Sequence, residues 1–254
     1  MIEDRSPRLA VFIDGDNVSA AYAEVILEEI ASFGEISLRR IYGDFSSTRL
    51  NKWSENQVKF GIVAQHVPST TTGKNASDIA LVIDAIDQLH SGLYDGFFIV
   101  SSDGDYTRLA HRIREEGIHV YGIGEQKTPE AFRMACKRFI YIENLLPRPK
   151  ISKAKSEEKG ADLNFAYNRI RTAVRAVSDE KEEAHLSQIV QELSKRYPDF
   201  DPRSFGKKRL LDLIEEINKF KIIKRGNAVF IQEAKKLNEQ KTTRIHAACP
   251  ARSG

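Results

Sequence analysis

Two short apolar runs dominate the first half of the chain, and each stops at the same kind of turn. Leu9–Ile13 (LAVFI) leads into Asp14-Gly15-Asp16-Asn17, and Gly96–Val100 (GFFIV) ends in Ser101-Ser102-Asp103-Gly104-Asp105. An unbroken apolar run bounded by turn residues is the pattern of a strand buried on both faces of a parallel sheet. Further strands are expected at Ser37–Phe45, Gly61–Val67, Ile118–Ile123 and Arg138–Glu143. The segments between them are helical. Ser19–Phe33 places Tyr22, Val25, Ile26 and Ile30 on one face with Gly34 just beyond. Lys52–Phe60 reads as a helix or an irregular crossover. Asp78–Leu89 carries a stripe of Ile79, Val82, Ile83, Ile86 and Leu89, with Ser77 as its N-cap. Tyr106–Glu116, stopped by Gly117, and Pro129–Ala135 complete the set. Strands alternating with helices imply right-handed crossovers and an α/β fold with a mostly parallel sheet.

The periodicity changes after residue 147. Pro147–Gly160 (PRPKISKAKSEEKG) has almost nothing to bury and reads as a flexible linker. Asp162–Val177 follows as a helix with Phe165, Ile170, Ala173, Val174 and Val177 inward. His185–Tyr197 is a second, turning Leu186, Ile189, Val190 and Leu193 inward. Asp201–Phe205 is a helical turn and Arg209–Ile217 the third main helix. Phe220–Arg225 and Ala228–Gln232 are strands joined by Gly226-Asn227, a two-residue hairpin signal. Three helices and a hairpin make a smaller, winged-helix-like α+β unit. The expected division is 1–147, a linker 148–160, a second domain 161–233 and a disordered tail 234–254.

Composition adds an asymmetry to this layout. The net charge of +3 divides into an acidic half, with 16 Lys and Arg against 21 Asp and Glu in residues 1–148, and a basic half, with 23 against 15 in residues 149–254. That pairing suits a metal-loving module beside one that binds a polyanion. No apolar run approaches the ~18 residues of a membrane span, and the acidic N-terminus enters a strand too early for a signal peptide. Cys136 and Cys249 are too few and too far apart for a metal site or a disulfide framework. A cytoplasmic protein with no membrane contact is the expectation.

The repeated acid-Gly-acid turn is the candidate chemistry. If the two strands are neighbours, about 4.8 Å apart, Asp14 and Asp103 bring their carboxylates close enough to repel. A hard divalent cation, Mg2+ or Mn2+, relieves such crowding and leaves positions for phosphate. Asp78, at a helix start after a polar loop, is the third member. Asp84 and Asp87 fall away from the apolar stripe and read as solvated. A single Asp-Gly turn after a strand is more often structural; two on neighbouring buried strands, with Asp78, favour a site.

These segments (FIDGDN, then KNASDIALVIDA at 74–85, then IVSSDGDYTRLAHRIREEGIHVYGIG at 99–124) resemble the NYN domains of the LabA-like group, within the PIN-like nucleases, over about residues 8–146. The resemblance implies a metal-dependent ribonuclease in which Asp14, Asp78 and Asp103 bind the cation. Asp16 and Asp105 are then auxiliaries, and Asn17 matches the family's Asn after the first acid. Ala76-Ser77-Asp78 stands where the family often has Gly-Val-Asp. The implied reaction is hydrolysis of phosphodiester bonds in RNA, expected to be single-stranded, by metal-activated water. Lys74, Ser101, Ser102 and Thr107 are candidates for holding phosphate oxygens, Lys74 foremost.

The run LSQIVQELSKRYPDFDPRSFGKKRLLDLIEEINKFKIIKRGNAVFI resembles an OST-HTH, or LOTUS, domain over about residues 162–233. That family is associated with RNA binding or with docking of protein partners, and the resemblance does not choose between them. Arg203, Lys207, Lys208 and Arg209 cluster at the start of its third helix, where phosphate contacts are expected. Two other readings stand beside the nuclease. One is a non-catalytic RNA-binding scaffold. The other is a HAD-type phosphatase, whose DxD motif the first turn resembles, although Asp14-Gly15-Asp16-Asn17-Val18 lacks that motif's second Gly.

Overall fold

A computed structural model describes residues 5–46, 48–68, 75–147 and 156–234. In the first domain six parallel strands form one sheet in the order β3-β2-β1-β4-β5-β6. They are β1 (Arg8–Asp14), β2 (Glu35–Gly43), β3 (Val63–His66), β4 (Gly96–Val100), β5 (His119–Gly124) and β6 (Arg138–Tyr141). The two apolar runs lie at the centre and pair directly, from Leu9 opposite Gly96 to Ile13 opposite Val100. Both acid turns therefore leave the same edge of the sheet, the C-terminal one where open α/β folds hold their ligands.

Helices cover both faces. α1 (Ala23–Ala31), entered through a short 3-10 turn, and α2 (Asn51–Phe60) bury one face around Ile26, Ile30 and Trp53. α3 (Ala76–His90), α4 (Thr107–Glu115) and α5 (Glu130–Ala135) bury the other around Phe12, Leu81 and Phe97. The expected crossover at 52–60 is thus a regular helix.

The rotation of α3 differs from expectation. Its buried stripe is Ser77, Leu81, Ala85 and Leu89, whereas Ile79 and Ile83 are 59% and 57% exposed. The cause is polar. Asp84 turns inward to bind Arg40 and the Tyr42 hydroxyl of β2, so it is a packed ion-pair partner rather than a solvated acid. Ser77 gives its hydroxyl to Asp16 at 2.9 Å, and Asn75, not Ser77, occupies the N-cap position.

The second domain consists of α6 (Ser156–Val177), β7 (Glu183–His185), α7 (Leu186–Arg196), α8 (Leu210–Ile217) and the hairpin β8 (Phe220–Arg225) and β9 (Ala228–Glu233). β7, too short to show a pattern, pairs antiparallel with β9 to give a three-stranded sheet. Ala166, Ile170, Val174, Ile189 and Leu213 fill the core. Two expected core residues lie outside it: Val190 is exposed on α7, and exposed Phe165 lies under the Arg169 guanidinium, 4.2 Å from its ring centre. Helix α6 begins at Ser156, inside the segment expected as linker, and most of the expected tail lies outside the described residues.

The two domains are packed together. The Phe139 amide, on the edge strand β6, donates to the Pro198 carbonyl at 2.8 Å. Arg203 reaches across from the second domain to both carboxylate oxygens of Glu29 on α1, at 3.0 and 2.8 Å. Asp199, almost wholly buried, binds Arg133 of α5, the Tyr141 hydroxyl at 3.0 Å and Arg169 of α6 at 2.8 Å. Mutual burial pushes the Tyr141 phenol up to about 12, aided by the Asp199 charge.

Candidate active site

The first turn is built by close packing. Asp14 ends β1 with 1% of its surface exposed, and Gly15 donates its amide to the Tyr42 carbonyl at 2.9 Å. A Cβ on Gly15 would lie 2.8 Å from that oxygen, so only glycine allows the approach. Asp14 is held on both oxygens, by the Asn17 amide at 3.2 Å, the Asn17 side chain at 2.7 Å and the Ser101 hydroxyl at 2.7 Å. Burial raises its pKa above the ordinary carboxylate value, against the pull of these donors.

Ser101 links the two turns. It donates to Asp14 and accepts the Asp103 amide at 3.0 Å. Asp103 in turn caps a 3-10 turn by accepting the Asp105 amide at 3.0 Å. That turn places Tyr106, deeply buried, with its hydroxyl donating to Asp78 at 2.7 Å. Asp78 is pushed up in pKa first by burial and then, against the Tyr106 bond, by the charges of Asp14, Asp103 and Asp16. The Tyr106 phenol is pushed far up by burial and by the Asp14, Asp78 and Asp103 charges. Four acids from three distant segments therefore feel one another at one edge of the sheet. Among the described residues Asp14, Asp78 and Asp103 form no ion pair with Lys or Arg.

Not every expected residue is placed as expected. Among the described residues no three His, Cys, Asp or Glu side chains are grouped closely enough, as they stand, to hold a metal ion. The local reason is that Asp14 faces Asn17 and Ser101 while Asp78 faces Tyr106. The donor chemistry still fits a hard divalent cation: every candidate ligand is a carboxylate, and their repulsion is the deficit such an ion relieves. Ser102 is occupied by the Glu125 amide at 2.9 Å, and Thr107 donates to the Gly104 carbonyl at 2.5 Å. Asp105 and Asn17 are exposed beside the acids. Lys74 lies outside the described residues.

The basic cluster of the second domain is largely neutralised. Arg203 is bound by Glu29 and Asp201, which hold its guanidinium well above its ordinary pKa. Lys207 pairs with Glu216 at 2.8 Å, and Arg209 with Asp212 at 2.7 Å. Lys208 borders a shallow hollow that also holds Glu29 and Asp201. Sequence reasoning missed Tyr106, whose signal is an aromatic residue directly after the second acid-Gly-acid turn.

The central parallel sheet with acids at its C-terminal edge, next to a smaller helix-and-hairpin unit, is a PIN-like α/β fold joined to a winged-helix-like domain. The chain belongs to the NYN domain family, which matches residues 8–143, and carries an OST-HTH/LOTUS domain at residues 168–232. A crystal structure of a protein of unknown function from Vibrio parahaemolyticus shares the fold, with 18% identity and a TM-score of 0.51 over 57% of this chain and 99% of that one. No curated protein matches the chain.

The burial of Asp78, together with the neighbouring acid charges, has a measurable consequence. A carboxyl whose pKa is higher folded than unfolded favours folding below the unfolded value, near 3.8, and loses that contribution as pH rises through the folded one. At neutral pH the Asp78 charge is therefore a penalty. Asp78→Asn keeps an acceptor for Tyr106 and removes the charge. In EDTA it is expected to raise stability by about 0.5–1 kcal/mol, discounted for partial solvent access, a Tm gain of about 1–4 °C. A lower Tm would show that the charge is compensated in the metal-free protein.

Proposed function

We propose that the first domain hydrolyses phosphodiester bonds of single-stranded RNA, with Asp14, Asp78 and Asp103 holding Mg2+ or Mn2+ and Asp16 assisting. The observation that carries this reading is the convergence at one sheet edge: β1 and β4 pair directly, Ser101 ties the Asp14 carboxylate to the Asp103 turn, and Tyr106 from that turn holds Asp78, close enough that the Asp14, Asp103 and Asp16 charges add to burial in raising its pKa. A cation bound there supplies Lewis-acid polarisation of a phosphate oxygen and a more acidic water. The chain's own residues set the stage. Asn17 and Ser101 fix the Asp14 carboxylate, Tyr106 fixes Asp78, and the Asp103 side chain is held by its cap. These bonds restrict the rotamers of acids that must act together, which is how preorganised sites avoid reorganisation during reaction. The second domain is proposed to hold the RNA. With Arg203, Lys207 and Arg209 paired internally, Lys221 and Lys224, exposed on β8, are the cations best placed for phosphate.

The test is incubation of the purified chain with end-labelled single-stranded RNA. Fragments are expected with Mn2+ or Mg2+, none with EDTA, and cleavage returns when metal is added back in excess. RNA binding without fragments under every metal would replace the nuclease by a scaffold.

A further inference from the structure

The sheet edge opposite the acids borders a second feature. Where β5 and β6 begin, α7 of the second domain lies across that edge, and the two domains bound a cleft of about 760 Å3. Small-molecule sites measure ~300–1,000 Å3 and favour domain boundaries. The cleft takes in His119 and Tyr121, so the last three residues of β5, Gly122–Gly124, separate it from the acid-bearing edge, a span of about 10 Å at ~3.3 Å per residue.

Its charge is one-sided. Arg114, His119, Lys137, Arg138 and Lys195 line it, and no carboxylate of the described residues does. Arg138 shares part of its charge with Asp201 at 3.8 Å, and Arg114 gives one N–H to the Ala135 carbonyl at 3.1 Å. Lys137 and Lys195 come from different domains, and among the described residues neither is in an ion pair. Partial desolvation lowers the pKa of the Lys137 ammonium, whose side chain stays largely exposed, and of His119, where the Lys137 charge adds to it. Cations gathered without a counter-charge destabilise the empty cleft, and an anion would offset them.

Between the cations the wall is aromatic and apolar. Phe33 and Tyr121 contribute rings, 5.2 Å apart in an edge-on arrangement. Met134 and Val190, from opposite domains, are two of the exposed large hydrophobic residues, and both line this cleft. Inorganic anions have no use for such walls. A ligand that is both anionic and flat-ringed uses cations and rings together, the combination by which proteins hold single nucleotides and unpaired strands.

We propose that this inter-domain cleft binds a nucleotide, its phosphate held by Lys137, Lys195 and Arg114 and its base set against the Phe33–Tyr121 wall and Met134. The nucleotide comes either free or as a unit of an RNA strand. The site shares no residue with the acid cluster and goes beyond the nuclease reading.

The test is a titration of the full chain by NMR, following the His119 ring proton and the Met134 methyl group. It is run in EDTA, so that the acid edge holds no cation and cuts nothing. The ligands are AMP, an eight-nucleotide single-stranded RNA and inorganic phosphate. Saturable shifts at both probes are expected with AMP or with the RNA, together with at least about a tenfold loss of affinity in Lys137→Glu/Lys195→Glu. Both lysines are exposed, so an unchanged Tm is the control on folding. Shifts with AMP identify a free nucleotide; shifts with RNA alone identify a strand. The proposal is overturned if neither ligand shifts the probes, if phosphate binds as tightly as AMP, or if the double variant binds normally. None of these outcomes bears on metal-dependent cleavage, which is read separately with Mn2+.

Discussion

Asp103→Asn is expected to reduce RNA cleavage by at least about a hundredfold while leaving the fold intact, the scale seen when one charged member of a preorganised site is removed. The variant is chosen for its control. Asp103 accepts the Asp105 amide at 3.0 Å, and Asn caps a helical turn as well as Asp does. The turn that carries Tyr106 should therefore survive, and a Tm within about a degree of wild type would show it. Asp14→Ala should lose as much activity but also some stability, because the Asn17 side chain and the Ser101 hydroxyl lose a buried acceptor. Asp105→Ala, at an exposed position whose backbone rather than side chain meets Asp103, should lose less than about tenfold. Full cleavage by both Asp103→Asn and Asp14→Ala would show that this edge of the sheet is not where RNA is cut.

The sheet and its acids were legible because they obey local rules. Buried parallel strands are apolar throughout, and the acid-Gly-acid turns stand out against them; the pairing of β1 with β4 stood only as a condition of the site, and the register of Leu9 opposite Gly96 to Ile13 opposite Val100 meets it. What was illegible depends on partners far away in sequence. α3 is apolar on almost every side, so periodicity does not choose its inner face. Arg40 and Tyr42 choose it by drawing Asp84 inward, 44 and 42 residues from themselves. The basic cluster at 203–209 read as a phosphate surface because only Arg209 has its acid at helix spacing, Asp212, whereas Lys207 finds Glu216 nine residues on and Arg203 finds Glu29 at a separation of 174 residues. No local pattern encodes a docking between domains. The same blindness hid the cleft beneath β5 and β6, whose two walls come from different domains, and it gave the second domain the role of a tethered module rather than a packed one.

Asp199→Ala is expected to separate the two domains. Its carboxylate, 5% exposed, lies between Arg133 and Arg169, themselves only 20% and 18% exposed. Removing it leaves two guanidinium groups facing each other with little solvent and no counter-charge, and deprives the Tyr141 hydroxyl of an acceptor. Loss of one partner from a buried pair typically costs about 3–5 kcal/mol, far more than the intact pair contributes over an apolar replacement. Among the described residues the other polar ties are the Phe139–Pro198 backbone bond, the Asn144–Ser204 side-chain bond, the Arg203–Glu29 pair, whose carboxylate is partly exposed, and the longer Arg138–Asp201 contact. Each contributes only about 0.5–1.5 kcal/mol net, and all are already present in the wild type, so none is gained to offset that loss. Each domain keeps its own core, around Phe12 and Phe98 in the first and Ile170 and Leu213 in the second. A single thermal transition in the wild type should therefore split into two in the variant, with a larger radius of gyration between them. Asp199→Ala/Arg133→Met removes one of the stranded charges and should recover part of the loss, which separates an electrostatic lock from simple packing. A single transition at the wild-type Tm for Asp199→Ala would mean that the apolar part of the interface alone holds the domains together.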